Sequence, residues 1–204
     1  MLFVSMGSGL DFSLIFFWSG SMKIICITGA TSGVGKTTLA EMLLRNLKNW
    51  AACKVTACTG GSAHRCPRGK KDCGVCSSLK KDYEIKKETV YSNNNAEFPF
   101  MARSKKDTHR LLKAGAKAVL WVKTKPEFLA KSIKRALARL KGYSGVIFEG
   151  NHALQVLNPD LALMVLSPDG RFKRSALEIK NKVDLFIKNV NNVQIKAILE
   201  KVRQ

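Results

Sequence analysis

The sequence predicts an α/β domain of about six mainly parallel strands flanked by helices. Three observations point there. Short apolar runs alternate along the chain with segments of helical periodicity, as β-α-β units require. The run Ile24-Ile25-Cys26-Ile27 passes through Gly29-Ala30-Thr31-Ser32-Gly33-Val34-Gly35-Lys36-Thr37-Thr38 into Leu39, Met42, Leu43, Leu47 and Trp50, which recur at helical spacing. A later strand, Gly145-Val146-Ile147-Phe148, ends in an acid, Glu149. Strand, glycine loop and helix in that order make a P-loop NTPase fold the expectation.

The loop chemistry follows from its residue types. Ser32, Gly33, Val34 and Gly35 let backbone N–H groups curl around a di- or triphosphate, Lys36 reaches the terminal phosphates, and the Thr37 hydroxyl suits Mg²⁺, with Thr38 opening the helix. The helix dipole adds its positive end to the same anion. A strict phosphate loop has Gly where Ala30 stands, a conservative departure. Glu149, at a strand end, is the acid expected to hold hydrated Mg²⁺ or orient the attacking water. Asn151 and His152 lie just beyond, at the mouth where doubly wound sheets collect ligands.

Composition limits what carries this loop. The 204 residues, 46% hydrophobic and 25% charged, suit one sizeable core or a core with a small module. Thirty-five Lys and Arg against fifteen Asp and Glu give a net charge of +20. Such a surface attracts nucleic acid, acidic membrane faces, acidic proteins or phosphorylated ligands without choosing among them. Residues 1–21 differ from the rest. Their apolar stretch, Leu10 to Trp18, is shorter than the roughly 20 residues of a membrane span. No Lys or Arg precedes Lys23, as a secretory signal would want, so a dispensable extension before Met22 and a cytoplasmic location are expected.

After the first helix, Lys54-Val55-Thr56-Ala57-Cys58 reads as a second strand. A cysteine-rich insertion, residues 58–80, follows it. His64, Cys66, Cys73 and Cys76 fall within thirteen residues, with Cys58 just upstream. The Cys73/Cys76 pair is a CxxC; Cys66 with His64 or Cys58 would complete four ligands for zinc, or Cys58, Cys66, Cys73 and Cys76 would hold an iron–sulfur cluster. A disulfide or free thiols are the alternatives. Cys26 and Cys53 belong to the core. The run Lys80 to Lys87 carries too few apolar positions to assign, and Asn93-Asn94-Asn95 and Pro99 mark loop.

Asp107 is placed to cap a short helix ending at Gly115, or to contact Mg²⁺ or water at a γ-phosphate. Ala118 to Val122 forms a strand. Pro126 opens a helix with Leu129, Ile133, Leu137 and Leu140 as its apolar stripe; its basic residues lack the interleaved aromatics that stack single-stranded nucleic acid. Leu161 to Leu166 is another strand. Asn181-Lys182-Val183-Asp184 spells the guanine-reading NKxD, but Asp184 begins an apolar run when it should follow one. Asn189, beyond Leu185-Phe186-Ile187, holds the base-reading place instead. A last helix buries Ile195, Ile198, Leu199 and Val202.

Ser32 to Leu39, Lys106-Asp107 with Leu112-Lys113-Ala114-Gly115-Ala116, and Val146-Ile147-Phe148-Glu149-Gly150 together resemble the molybdopterin-guanine dinucleotide biosynthesis protein B family, from about Met22 to the C-terminus. The resemblance implies GTP binding (ATP being the other candidate), slow hydrolysis, and assistance to a partner nucleotidyltransferase that makes the dinucleotide form of the molybdenum cofactor; a homodimer stays open. Lys36 and Thr37 carry over as phosphate and Mg²⁺ contacts, Glu149 as the acid of the second motif, and Asp107 beside them. The cysteine cluster and Asn151-His152 depart from that family's pattern. Two other classes therefore stand beside it: a metal-binding NTPase of metallocentre assembly or sensing, and a basic nucleic-acid-binding NTPase.

Overall fold

The computed structural model describes residues 22–58, 79–89 and 106–203. Residues 1–21 and most of the cysteine-rich insertion lie outside them, so neither expectation is addressed. The strands are β1 (Lys23–Gly29), β2 (Trp50–Ala57), β3 (Tyr83–Glu88), β4 (Val119–Thr124), β5 (Gly145–Glu149), β6 (Leu161–Val165) and β7 (Leu185–Ile187). They form one seven-stranded sheet, order β3-β4-β2-β5-β1-β6-β7, in which only β3 runs antiparallel to its neighbour.

Six of these strands are the apolar runs of the sequence. The seventh, β3, carries Glu84, Lys86, Lys87 and Glu88 and has no fully buried residue. It is an edge strand, and alternating charge on an edge keeps it from pairing with another chain. Its place comes from its ladder with β4, and Ile85 packs on the core from one side only.

Because parallel strands are covered on both faces, the side chains alternate between two cores. On one face α1 (Lys36–Leu44), α2 (Asp107–Lys113) and α6 (Asn192–Arg203) bury Leu39, Leu43, Leu111, Ile195 and Ile198 against Ile25, Ile27, Ala52 and Ile147. On the other, α3 (Leu129–Arg139), α4 (Ala153–Val156) and α5 (Arg174–Leu177) bury Ile133, Leu137, Leu154 and Ala176 against Cys26, Cys53, Val55 and Phe148. Both core cysteines are free, and burial pushes their thiols up, out of the reactive range.

Two element boundaries differ from the periodic pattern. α1 stops at Leu44; Leu47 leaves it, and Trp50 begins β2. The turn between them passes through Asn49 at φ 60°, a conformation asparagine tolerates better than most residues. The helix after Pro126 starts as a 3₁₀ turn, Pro126–Phe128, before α3 takes over. Among the described residues no helix is long and apolar enough to cross a membrane.

Candidate functional site

β1, β2, β5 and β6 bring their carboxyl ends to one side of the sheet, and the glycine loop crosses that side between β1 and α1. Ala30 is fully buried; its N–H donates to Val165 O (2.9 Å), and its carbonyl accepts from Lys173 N–H (2.8 Å). Its φ is not positive, so alanine fits where the strict motif has glycine. Gly33 (φ 78°) and Gly35 (φ 98°) are left-handed with open space where a Cβ would stand, so their requirement is conformational. Gly35 is the residue before α1, and no side chain caps that helix. Its first N–H groups are therefore left for another acceptor. Lys36 folds over the loop, with Nζ 3.4 Å from Thr31 O.

Register places the two central polar residues together. Glu149 is the partner of Ile27 on one side and of Lys54 on the other, so Glu149 and Lys54 both face α1 and α2. Thr37, in the first turn of α1, donates its hydroxyl to Glu149 Oε1 (2.9 Å). Glu149 is 4% exposed, and its Oε2 is buried without a hydrogen-bond partner. Burial raises its carboxyl above the usual range, with Asp107 adding to the rise; Lys54, Thr37 and Lys36 oppose it. A hydroxyl beside a carboxylate with one unsatisfied oxygen is the kind of hard-oxygen pair a divalent cation takes.

Asp107 does not cap its helix. The position before α2 is Lys106, no side chain caps it, and Asp107 is the first helical residue. Its carboxylate instead forms an ion pair with Lys54. Burial acts to raise the Asp107 carboxyl, but Lys54, Arg110 and the Thr37 hydroxyl outweigh it and hold the carboxyl below its ordinary value. One turn along, Arg110 grips Glu41 of α1 with Nε and Nη2 (2.9 and 2.6 Å) and reaches Thr38 Oγ1 at 3.3 Å. This bidentate pair ties α2 to the middle of α1.

Asn151 ties β5 to the loop. Its Oδ1 accepts from Gly29 N–H and its Nδ2 donates to Gly29 O, both at 3.0 Å and buried. The sequence puts Asn151 at the mouth; its structural task there is to extend the strand pairing by one amide. Gly150 lets the chain turn from Glu149 to Asn151 at φ 137°, where an added Cβ would sit 2.5 Å from Val55 O. A backbone carbonyl in β2 cannot retreat cheaply. Gly150→Ala should therefore destabilise the fold by about 2–4 kcal/mol, since strain and overpacking each cost about 1–3. Urea unfolding reads it; a loss under about 0.5 kcal/mol, as at an unconstrained surface site, would contradict this close approach.

These residues line a cavity of about 680 Å³ running from the glycine loop past Glu149 to His152, Lys173 and Ser175. A neighbouring groove of about 620 Å³ lies between the loop, the segment after β6 and Asn189. No family model matches the sequence, and no curated protein matches it. The site is therefore read from its own geometry.

Ser32, Gly33, Gly35, Lys36, Thr37, Thr38, Asp107 and Glu149 all meet in the cavity, and Val34 joins Asn189 in the groove. NKxD does not take part. Lys180–Lys182 is a 3₁₀ turn, and Asp184 exchanges hydrogen bonds with the backbone around Ala162, N–H to Ala162 O at 2.9 Å and Oδ2 from Ala162 N–H at 2.7 Å. That pins the start of β7, at the opposite end of the sheet from the loop.

Cys58, just past β2, lines the cavity and is disulfide-bonded, an alternative the cysteine cluster leaves open. His64, Cys66, Cys73 and Cys76 lie outside the described residues. Among the described residues no group of three or more His, Cys, Asp or Glu side chains is arranged to hold a metal. Lys54, Arg110 and Lys173 escape sequence reasoning. A lone lysine inside the apolar run from Trp50 to Val55 was the available signal for Lys54.

Proposed function

We propose that this chain is a P-loop NTPase, binding a nucleoside triphosphate with Mg²⁺ and hydrolysing it slowly. One observation carries the reading: the buried Thr37–Glu149 pair, with Glu149 Oε2 unsatisfied, lies beside an uncapped helix start behind two left-handed glycines. The pair fits Mg²⁺, with Thr37 and Glu149 as its protein-side holders. When bound, the ion supplies positive charge to the terminal phosphates.

The protein's own groups do the rest. The loop N–H groups and the first turn of α1 bind the phosphates. Lys36 swings from Thr31 O to the anion and offsets charge developing at the γ-phosphate. Asp107, fixed by Lys54, stands near Thr37 as an oriented acceptor for water. Base and ribose lie in the groove at Asn189, where an amide offers both a donor and an acceptor to a purine edge. The guanine preference and the client step, assisting a nucleotidyltransferase in forming the molybdopterin guanine dinucleotide, rest on the family resemblance alone.

Calorimetric titration with GTP, ATP and GDP, with and without Mg²⁺, tests the nucleotide reading. Micromolar, Mg²⁺-dependent triphosphate binding with GTP ahead of ATP is expected. No binding of any of them at millimolar concentration would overturn it. Complementation of molybdenum-cofactor synthesis then tests the client step separately.

A further inference from the structure

α3 differs from the other long helices, α1 and α6, in the sign of its charge. Those two mix acids with bases, Glu41 with Lys36 in α1 and Glu200 among Lys196, Lys201 and Arg203 in α6. α3 contains no acid: its solvent side presents Lys131, Lys134, Arg135, Ala138 and Arg139, while Leu129, Ile133, Ala136 and Leu137 enter the core. We propose that this face, continued onto β3 by Lys87, binds the sugar–phosphate backbone of duplex nucleic acid without reading its sequence. The inference is independent of the nucleotide reading above.

The cations form an ordered row. Lys131, Arg135 and Arg139 recur every four residues, so at 1.5 Å per residue they make a row about 12 Å long on one side of the helix. A nucleic-acid strand advances about 3.4 Å per phosphate, so such a row spans roughly three or four of them. β3 extends it: successive strand residues face opposite ways, so Lys87 shares the side of Tyr83 and of Ile85, which packs on the core that α3 covers. The Arg135 guanidinium lies over the Tyr83 ring, 5.8 Å from its centre, and Arg139 Nη1 donates to Ile85 O (3.3 Å). Each contact restrains a long side chain before any ligand arrives, which lowers the ordering cost of binding. A guanidinium has five N–H donors, so both arginines keep others for phosphate oxygens. Among the described residues none of Lys87, Lys131, Arg135 and Arg139 is in an ion pair.

Other polyanions fit this face less well. A bilayer needs apolar side chains to bury at its surface, and those of α3 are already in the core. An acidic protein partner needs a desolvated apolar anchor, whereas the solvent side of α3 offers Ala138 alone. Single strands are held by stacking on open rings, and Tyr83 lies under Arg135. A regular row of phosphates needs only fixed positive charge, and the net charge of +20 attracts it from a distance.

Anisotropy of short fluorescent DNA and RNA duplexes of mixed sequence is followed with the full chain, free of nucleotide, as salt is varied. Wild type is compared with Lys131→Gln/Arg135→Gln/Arg139→Gln and with Lys196→Gln/Lys201→Gln/Arg203→Gln, which removes the same charge from exposed positions of α6. Wild type should bind at least one duplex with a Kd of roughly 10⁻⁴–10⁻⁶ M near physiological salt, independently of sequence. The α3 variant should bind about 10-fold or more weakly, with a log–log salt slope about 3 smaller, while the α6 variant stays within about 3-fold of wild type. Lys131→Glu alone, at an exposed position, should weaken binding in the same direction with an unchanged urea midpoint, which separates lost contacts from lost fold. Preference for DNA or for RNA supports the proposal equally and names the duplex; binding of neither overturns it. So would equal weakening in the two triple variants, no weakening in the α3 variant, or phosphatidylserine vesicles bound as tightly as duplex. None of these outcomes bears on nucleotide binding.

Discussion

Lys36→Ala is expected to lower nucleoside triphosphate hydrolysis by about 10²–10³-fold, the loss typical of removing one fixed donor from developing negative charge. Lys36 follows a left-handed Gly35 and its ammonium already hangs over the loop, at Thr31 O. That long contact is what a phosphate oxygen would replace. Triphosphate affinity should fall more than diphosphate affinity, because the ammonium is assigned to the terminal phosphates. Lys36→Arg should fail as well: a planar fork cannot take the place of a compact ammonium inside a tight loop. Steady-state hydrolysis and calorimetry on the same preparations read both effects, with nucleotide-free urea unfolding as the control. Turnover within about 5-fold of wild type, less than about 1 kcal/mol of transition-state stabilisation, would remove Lys36 from the phosphate.

The loop was legible in the sequence because its chemistry is local: a handful of adjacent residues fixes the turn, the cation and the hydroxyl. Glu149 was legible for a related reason, an acid ending a wholly apolar strand. What the sequence hid is what the sheet assembles. Lys54 and Asp107 are 53 positions apart and meet only because α2 packs over β2. A charge in a short helix reads equally well as a cap, and the ion pair with Lys54 decides otherwise. Strand β3 was hidden for the converse reason. An edge strand needs few apolar residues, so its identity resides in β4, which it joins from Tyr83 to Glu88. Trp50 misled through periodicity: it falls at helical spacing from Leu43 and Leu47, yet the chain has turned at Asn49 before reaching it. NKxD illustrates why position on an element outranks the letters, since its aspartate secures the amino end of β7. Lys173 and Ser175 gave no signal at all, lying at the start of α5, whose place is set by Ala176 in the core and by the Lys173 N–H bond to Ala30 O.

Glu149→Gln should separate stability from turnover, improving the first while reducing the second by about 10²-fold or more if the carboxylate is needed at the metal. The carboxyl is buried with one oxygen unsatisfied, and its folded-state pKa lies above the ordinary value of 4.5. In the interval between those two values the native state binds more protons than the unfolded chain, so stability declines as pH rises. The favourable term is full below the unfolded value, is lost as pH climbs to the raised one, and stays lost above it. Asp107 has the opposite sign: its lowered carboxyl contributes above 3.8 and loses that contribution only as pH falls further, outside the interval that concerns Glu149. Urea unfolding of wild type should therefore show falling stability from pH 4.5 upward, and Glu149→Gln should be flatter and more stable near neutrality, because an amide sheds the cost of burying charge while still accepting from Thr37. Mg²⁺ should reverse the order. A cation bound to the native state at one hundred times its dissociation constant adds about 2.7 kcal/mol, and it should do so for wild type and not for the variant. Parallel pH profiles for the two proteins would mean that Glu149 titrates normally, and equal Mg²⁺ stabilisation would place the ion elsewhere. Rising stability across the same interval would contradict the burial itself, since only a carboxylate better solvated or better paired in the fold than in the open chain behaves that way.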